Sequence, residues 1–221
     1  MNKNMNEQLV LGLSLKEALE KEDFFISSSN LDAVTLLDNR DRWASGVLLL
    51  VGPKGSGKTH LSTVWSKENK AKHVKLEAVL REMENGLDHE FVCVEDIDLI
   101  EKAERQKKLK IEEGIFHLIN SVGSRGGNLL ISSRIMPNAL SIGIKDLESR
   151  LQSFSNTTIK EPDDTLVMAL LLKYFNDRQI FVKHSNLDYI AARINRTYGS
   201  IYEFVNYLDH KSLVLNRKIT R

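Results

Sequence analysis

Eight residues constrain this chain more than any other feature: Gly52-Pro53-Lys54-Gly55-Ser56-Gly57-Lys58-Thr59. They fit the pattern GxxxxGK followed by Ser or Thr. The glycines let successive backbone N–H groups curl around a run of phosphates, and the helix that follows offers them its positive N-terminus. Lys58 is placed to reach the β- and γ-phosphates, and the Thr59 hydroxyl to ligate Mg²⁺. Such a loop needs a buried strand before it and a helix after it. Residues 46–52, GVLLLVG, form an uninterrupted apolar run of the kind buried on both faces of a parallel sheet, and a helix is expected over 58–67. The expected ligand is a purine nucleotide, ADP or ATP, with Mg²⁺.

The remaining pattern extends the α/β alternation. Residues 90–94 and 128–132 read as two more buried strands, with weaker strands near 74–76 and 156–159. Helices are expected at 29–41, from 78 onward, at 114–122 and at 145–152. The character changes at Glu161-Pro162-Asp163-Asp164, a helix-start signature. Beyond it only helical signals appear, at 164–177, 185–195 and 200–216. Ser185 with Asp188, and Ser200 with Glu203, have the spacing of capping boxes. The plan is a tail over 1–18, a nucleotide-binding base over 19–160 and a helical lid over 161–221.

Composition removes several classes of function. A chain of 221 residues holds one large domain, or one plus a small one. Net charge is +1, so nothing global drives it toward nucleic acid or an acidic membrane. No apolar run approaches the ~18 residues of a membrane span, and residues 1–8 lack the apolar core of a signal peptide. The single cysteine, Cys93, has no intramolecular partner; within Phe91-Val92-Cys93-Val94 it reads as a buried small hydrophobe. The expected location is the cytoplasm. Residues 101–110 and 211–221 are basic and read as a solvated loop and a frayed terminus, able to touch DNA only non-specifically.

A P-loop needs an acidic partner on a neighbouring strand to hold the metal. Glu95 and Asp96 follow four apolar residues and supply it. The usual first residue is Asp; Glu95 is one methylene longer, which alters the metal geometry. Asp96 holds the place of a water-activating acid. Ser132 and Ser133 end the third strand, where a hydroxyl can sense a γ-phosphate or simply complete a turn. Arg150 lies four residues after Asp146. That spacing fits a helix pair worth a few tenths of a kcal/mol, and equally an arginine finger that stabilises transition-state charge in another subunit. The residues alone leave the two readings even.

Taken together these motifs resemble the AAA+ family of the bacterial replication initiator DnaA. Gly57-Lys58-Thr59-His60-Leu61 is similar to its GKTHL, and Phe24 with Ser29-Asn30 to its adenine-pocket segment. Phe116-His117 with Asn120 resembles its FHxxN helix, Glu148-Ser149-Arg150-Leu151 its EDRL stretch, and Glu161-Pro162 its lid boundary. The resemblance covers about residues 20–215 and implies an AAA+ fold, with Phe24, Asn30 and His60 beside the nucleotide. The sequence ends at Arg221, soon after the lid, so no helix-turn-helix domain is expected; the short Hda-type branch is the nearer likeness. That branch carries a clamp-binding peptide of the form QLxLPL. Gln8-Leu9-Val10-Leu11-Gly12-Leu13 is similar, with Gln8 as a hydrogen-bonding anchor, Leu9, Leu11 and Leu13 as apolar contacts and Gly12 in the Pro position.

The resemblance implies partners and a role. The partners are DnaA and the sliding clamp of DNA polymerase III (its β subunit), with self-association through AAA+ faces and at most indirect contact with DNA. Arg150 becomes an interface arginine acting on a neighbour's ATP. The lid arginine that contacts the nucleotide in DnaA falls at Ser200 here, with Arg196 nearby but out of register, so hydrolysis in this chain's own site is expected to be slow. The alternatives are an autonomous ATPase or DnaC-like helicase loader, and an origin-binding fragment of a DnaA-like initiator.

Overall fold

The first helix, α1 (Leu31–Asp38), precedes the central strand β1 (Val47–Val51), and every residue of that strand is buried. The computed structural model describes residues 24–215. Gln8, Leu9, Leu11 and Leu13 lie outside the described residues, as does the end of the basic tail. After β1 come α2 (Lys58–Asn69), β2 (Lys72–Val74), α3 (Val79–Glu84), β3 (Phe91–Val94), α4 (Arg105–Ser124), β4 (Asn128–Ser133), α5 (Lys145–Ser153) and β5 (Ser155–Thr158). Three helices follow: α6 (Asp164–Asp177), α7 (His184–Ala191) and α8 (Tyr198–Leu215). The strands form one five-stranded sheet in the order β2-β3-β4-β1-β5, with every pairing parallel.

Strand alternation divides the core into two layers. Val47, Leu49 and Val51 point to one side, where they join Ile115 and Leu118 of α4 and Leu147 and Leu151 of α5. Leu48 and Leu50 point to the other, against Ala33 and Leu37 of α1 and Leu61 and Trp65 of α2. Each fully buried leucine contributes roughly 1.5–3 kcal/mol, which is why a run with no polar position makes the central strand. Cys93 sits in the second layer at 0% exposure, and burial pushes its thiol up to about 12. It is a packed hydrophobe, as its surroundings in sequence suggest. Between α3 and α4 the helices touch at Gly114, where a Cβ would fall 2.6 Å from the Leu80 backbone nitrogen.

Several local readings are corrected. Residues 101–110 are not a loop: a 3-10 turn, Ile97–Lys102, leads into α4 at Arg105. A tertiary contact and a local one order this stretch: Glu101 Oε1 accepts the Ser141 N–H at 2.7 Å, and Glu101 Oε2 lies 3.5 Å from Lys108 Nζ. The strand expected near 74–76 ends at Val74, and Leu76 already begins a 3-10 turn. Neither expected capping box forms. Lys183 precedes α7 without a side-chain cap. Thr197 caps α8, its Oγ1 accepting the Ser200 N–H at 3.0 Å, so Ser200 lies inside the first turn.

The three C-terminal helices have their own apolar centre of Val167, Leu171, Phe175, Leu187, Ile201 and Val205. They join the sheet through a polar seam. Asp163 Oδ1 accepts the Leu166 N–H at 2.8 Å, capping α6, and Asp163 Oδ2 accepts the Ser28 hydroxyl at 2.7 Å. The Lys160 N–H donates to the Ser29 carbonyl at 2.9 Å. The Ser28 hydrogen bond, followed by that from Leu166, holds the Asp163 carboxyl below the usual carboxylate range. Its contribution is therefore present above the unfolded value of about 3.9 and is lost as pH falls through the depressed folded value. Asp163→Ala should lower stability by about 1 kcal/mol at neutral pH. In chemical denaturation the gap to the parent protein should close as the pH is lowered below 4. A gap that stayed constant down to about pH 3 would refute this assignment.

Candidate nucleotide site

The C-terminal ends of β1, β3 and β4 meet at the P-loop. The strand register sets Val51 beside Ser133 and Val94 beside Ile131, so the residues just beyond β3 and β4 face the loop that leaves β1. Gly57 sits at φ +92°, a left-handed backbone that admits glycine, and a Cβ there would lie 2.7 Å from Phe24 Cε2. Phe24 thus covers the start of α2, with its ring edge-on to His60 at 5.4 Å. Asn30 is buried and spends its side chain on the neighbouring loop. Its Oδ1 accepts the Ser27 N–H at 2.9 Å and its Nδ2 donates to the Phe25 carbonyl at 2.9 Å. It shapes the segment that carries Phe24.

Lys58 is buried and folded onto the loop, donating from Nζ to the Gly52 carbonyl at 2.7 Å and the Pro53 carbonyl at 3.0 Å. Burial lowers its pKa, and the Asp96 carboxylate opposes that shift. Gly52 and Ser56 lie close: a Cβ on Gly52 would fall 2.7 Å from Ser56 Oγ. Lys54 and Gly55 are exposed at the turn of the loop.

The carboxylates divide their work. Burial raises the pKa of Glu95, partly countered by His73, Lys58 and the Thr59 hydroxyl. Asp96 has a left-handed backbone (φ +53°), braced by its N–H donating to Ser132 Oγ at 3.0 Å. Its Oδ2 lies 3.5 Å from Arg134 Nη2. Arg134 also pairs with Asp98, with Nε 3.8 Å from Oδ2 and its own backbone N–H donating to Oδ1 at 2.8 Å. Ser133 completes a turn, its Oγ donating to the Ile135 carbonyl at 2.7 Å.

These residues fit a magnesium-bound nucleotide. Ser56 Oγ and Glu95 Oε1 are buried polar atoms without hydrogen-bond partners among the described residues. A phosphate oxygen and a cation would satisfy them. Thr59 and Glu95 would hold the metal, Asp96 stands beside them, and the loop N–H groups with Lys58 would hold the phosphates. Mg²⁺ would supply charge neutralisation between the phosphate oxygens. Among the described residues no group of three or more His, Cys, Asp or Glu clusters as an all-protein metal site.

Other expected residues lie elsewhere. Arg150 contacts Phe116 and Asn120 of α4 and Asp146 of its own helix. Arg196 Nη2 pairs with Asp164 Oδ1 at 2.8 Å, and Ser200 bonds to Thr197. What the third helical unit brings to the P-loop is Tyr198: a Cβ on Gly55 would lie 3.3 Å from Tyr198 Cβ. The Tyr198 hydroxyl donates to the Lys160 carbonyl at 3.2 Å, and burial pushes its pKa up to about 12. Sequence reasoning missed Tyr198 and Arg134. Arg134 carried one usable signal, a cation just past a strand that neighbours the Glu95-Asp96 strand. Tyr198 carried none, because it reaches the loop across the whole chain.

Lys58→Ala should weaken ADP binding by about tenfold or more, the scale of one charged hydrogen bond. Glu95→Gln should leave metal-free ADP binding intact and remove its enhancement by Mg²⁺. Titration calorimetry with and without Mg²⁺ checks both; metal enhancement surviving in Glu95→Gln would remove Glu95 from the metal site.

Comparison with known proteins agrees with this architecture. Domain III of the replication initiation protein DnaA from Thermotoga maritima superposes with a TM-score of 0.71 at 19% identity, covering 93% of each chain. AMPPCP-bound DnaA from Aquifex aeolicus superposes at 0.67 and 15% identity, over 89% of this chain and 67% of that one. In sequence, a Haemophilus influenzae protein described as uncharacterized is 28% identical over 229 residues, spanning 98% of this chain and 96% of its own. No model of a protein family matches the chain. Among the described residues no helix is long and apolar enough to cross a membrane. The parallel five-stranded sheet, the P-loop after its central strand and these superpositions establish an α/β chain of the AAA+ fold, built like domain III of DnaA.

Proposed function

We propose that this chain is a regulatory AAA+ nucleotide-binding protein of DNA replication, of the Hda type. With the DNA-loaded sliding clamp it stimulates hydrolysis of the ATP held by DnaA and so represses re-initiation. The observation that carries the reading is the setting of Arg150. Among the described residues its guanidinium meets Asn120, Phe116 and Asp146, and no residue of the P-loop or of the Glu95-Asp96 pair. A cation held at the surface and apart from its own phosphate site suits action on a nucleotide in a neighbouring subunit. There it would stabilise charge on the γ-phosphoryl oxygens as the bond to ADP breaks.

The chain's own nucleotide then serves as a conformational latch. Asp96 is engaged by Arg134, and Arg196 by Asp164, so neither is free to drive rapid hydrolysis in the P-loop. Tyr198 against Gly55 lets nucleotide at the loop set the angle of the three-helix lid. ADP is the expected working ligand. A second reading, an autonomous ATPase or helicase loader, is favoured by the Thr59–Glu95 pair with Asp96 next to it. Steady turnover by the isolated protein would select that reading.

The decisive assay measures hydrolysis of DnaA-bound ATP with this protein, the clamp and DNA. Arg150→Ala should keep ADP and clamp binding and lose about 10³-fold or more of the stimulation, the scale of an arginine finger. Full stimulation by Arg150→Ala would end the finger assignment. Removal of residues 1–14, which carry Gln8, Leu9, Leu11 and Leu13, should abolish binding in a titration against the clamp. Unchanged affinity would refute the tether.

A further inference from the structure

α1 and α2 leave an apolar groove between them. α2 lines it with Leu61, Val64, Trp65 and Glu68, whose spacing puts them on one helical face, and α1 with Val34, Leu37 and Asp38. Phe24 and Ile26 form its near end, so the described chain begins at the rim of this groove. The void is about 30 Å³, far below the roughly 300–1,000 Å³ of a small-molecule site. It suits the tips of aliphatic side chains. Ile26 is 56% exposed, and Phe25 and Leu31, close by in the chain, are 45% and 51% exposed. Large apolar residues exposed together in one short stretch mark a contact surface.

The sequence holds a segment that fits. Leu9, Leu11, Leu13 and Leu15 alternate with Val10, Gly12 and Ser14. An extended backbone turns alternate side chains to one face, so the four leucines form a single apolar edge. Residues 9–16 carry Lys16 and no acid, and the groove carries Asp38 and Glu68. Length permits the return. From Leu15 to Phe24 the chain can span up to about 30 Å, and α2 from Leu61 to Glu68 is about 10 Å long. A link this short gives a local concentration of about millimolar. Contacts too weak to hold a separate peptide therefore suffice.

We propose that residues 9–15 seat in the groove between α1 and α2, with their leucines against Ile26, Val34, Leu37 and Val64, and that the sliding clamp must draw them out. Leu9, Leu11 and Leu13 serve both engagements, so the two exclude each other. The competition rests on the reading of Gln8 to Leu13 as the clamp tether; the seat does not. Apparent clamp affinity is then the intrinsic affinity reduced by the fraction of chains with the segment withdrawn.

Cys93 is the only cysteine and is buried, so Asn6→Cys gives a unique site for a nitroxide label just outside the segment. In the full chain the label should broaden the amide resonances of α1 and α2 around Leu37 and Val64 and leave those of α8 around Tyr207 sharp. Uniform or absent broadening would overturn the proposal. Labelled chain mixed with isotope-enriched, unlabelled chain should give no broadening; if it does, a second copy fills the groove and the seat within one chain is refuted. Leu15→Ser and Ile26→Asp lie outside the tether and the nucleotide site. Each should abolish the broadening and raise clamp affinity about tenfold, the effect of releasing a segment seated in about nine chains of ten, whereas Leu11→Ser should lower it. Clamp affinity unchanged by both variants would overturn the competition. Localised broadening in a chain that does not bind the clamp would support the seat and remove the tether, so the two readings fail separately.

Discussion

Everything in this molecule is arranged around the need to bring backbone N–H groups to one point at the end of a buried strand. A loop that wraps phosphates with its backbone N–H groups gains little from its own side chains, and three of its eight residues, Gly52, Gly55 and Gly57, have none. It is held between β1, packed on both faces, and α2, whose first turn supplies the remaining unsatisfied donors. Parallel pairing puts the ends of β3 and β4 at the same edge as the loop. The carboxylates and hydroxyls of those strands therefore arrive without any further device. Phe24 packs against Gly57 and Tyr198 against Gly55, two loop glycines whose positive φ disfavours any side chain.

Within that frame the charges are unevenly committed. Glu95 is drawn toward Thr59 and keeps one oxygen free of protein partners, as a metal ligand requires. Asp96 and Asp98 share Arg134, which offsets negative charge beside the phosphate site before any nucleotide arrives. Lys58 lies on the loop carbonyls, ready to exchange them for phosphate oxygens. The site is thus complete for binding, while its acid is restrained. On the opposite layer, α4 serves the sheet with one face and Arg150 with an adjoining stripe.

Much of this was legible in the residues. A continuous apolar run followed by the P-loop left little choice but an α/β sheet with buried parallel strands, and the runs read at 90–94 and 128–132 became the strands Phe91–Val94 and Asn128–Ser133. The error at residues 101–110 has a physical cause. Their charge reads as solvation, but Glu101 pairs locally with Lys108 and accepts the Ser141 N–H, a contact made only once this stretch and the loop before α5 are packed together. The capping errors at Ser185 and Ser200 are of the same kind: spacing permits a cap, and the backbone geometry one turn earlier decides it.

The sequence by itself determined the fold class and named the candidate residues of a phosphate site, because those depend on local pattern: glycine spacing, strand burial and the order of elements. Tertiary structure alone decided how the charges are shared. Whether Asp96 is free or tied to Arg134, whether Arg196 or Tyr198 approaches the P-loop, and whether Arg150 is merely paired with Asp146 or also held by α4 are questions of distance between segments far apart in the chain. Electrostatic and packing energies fall off over a few ångströms, and sequence separation carries no information at that scale. The P-loop could be read directly; what its neighbours do with it required the fold.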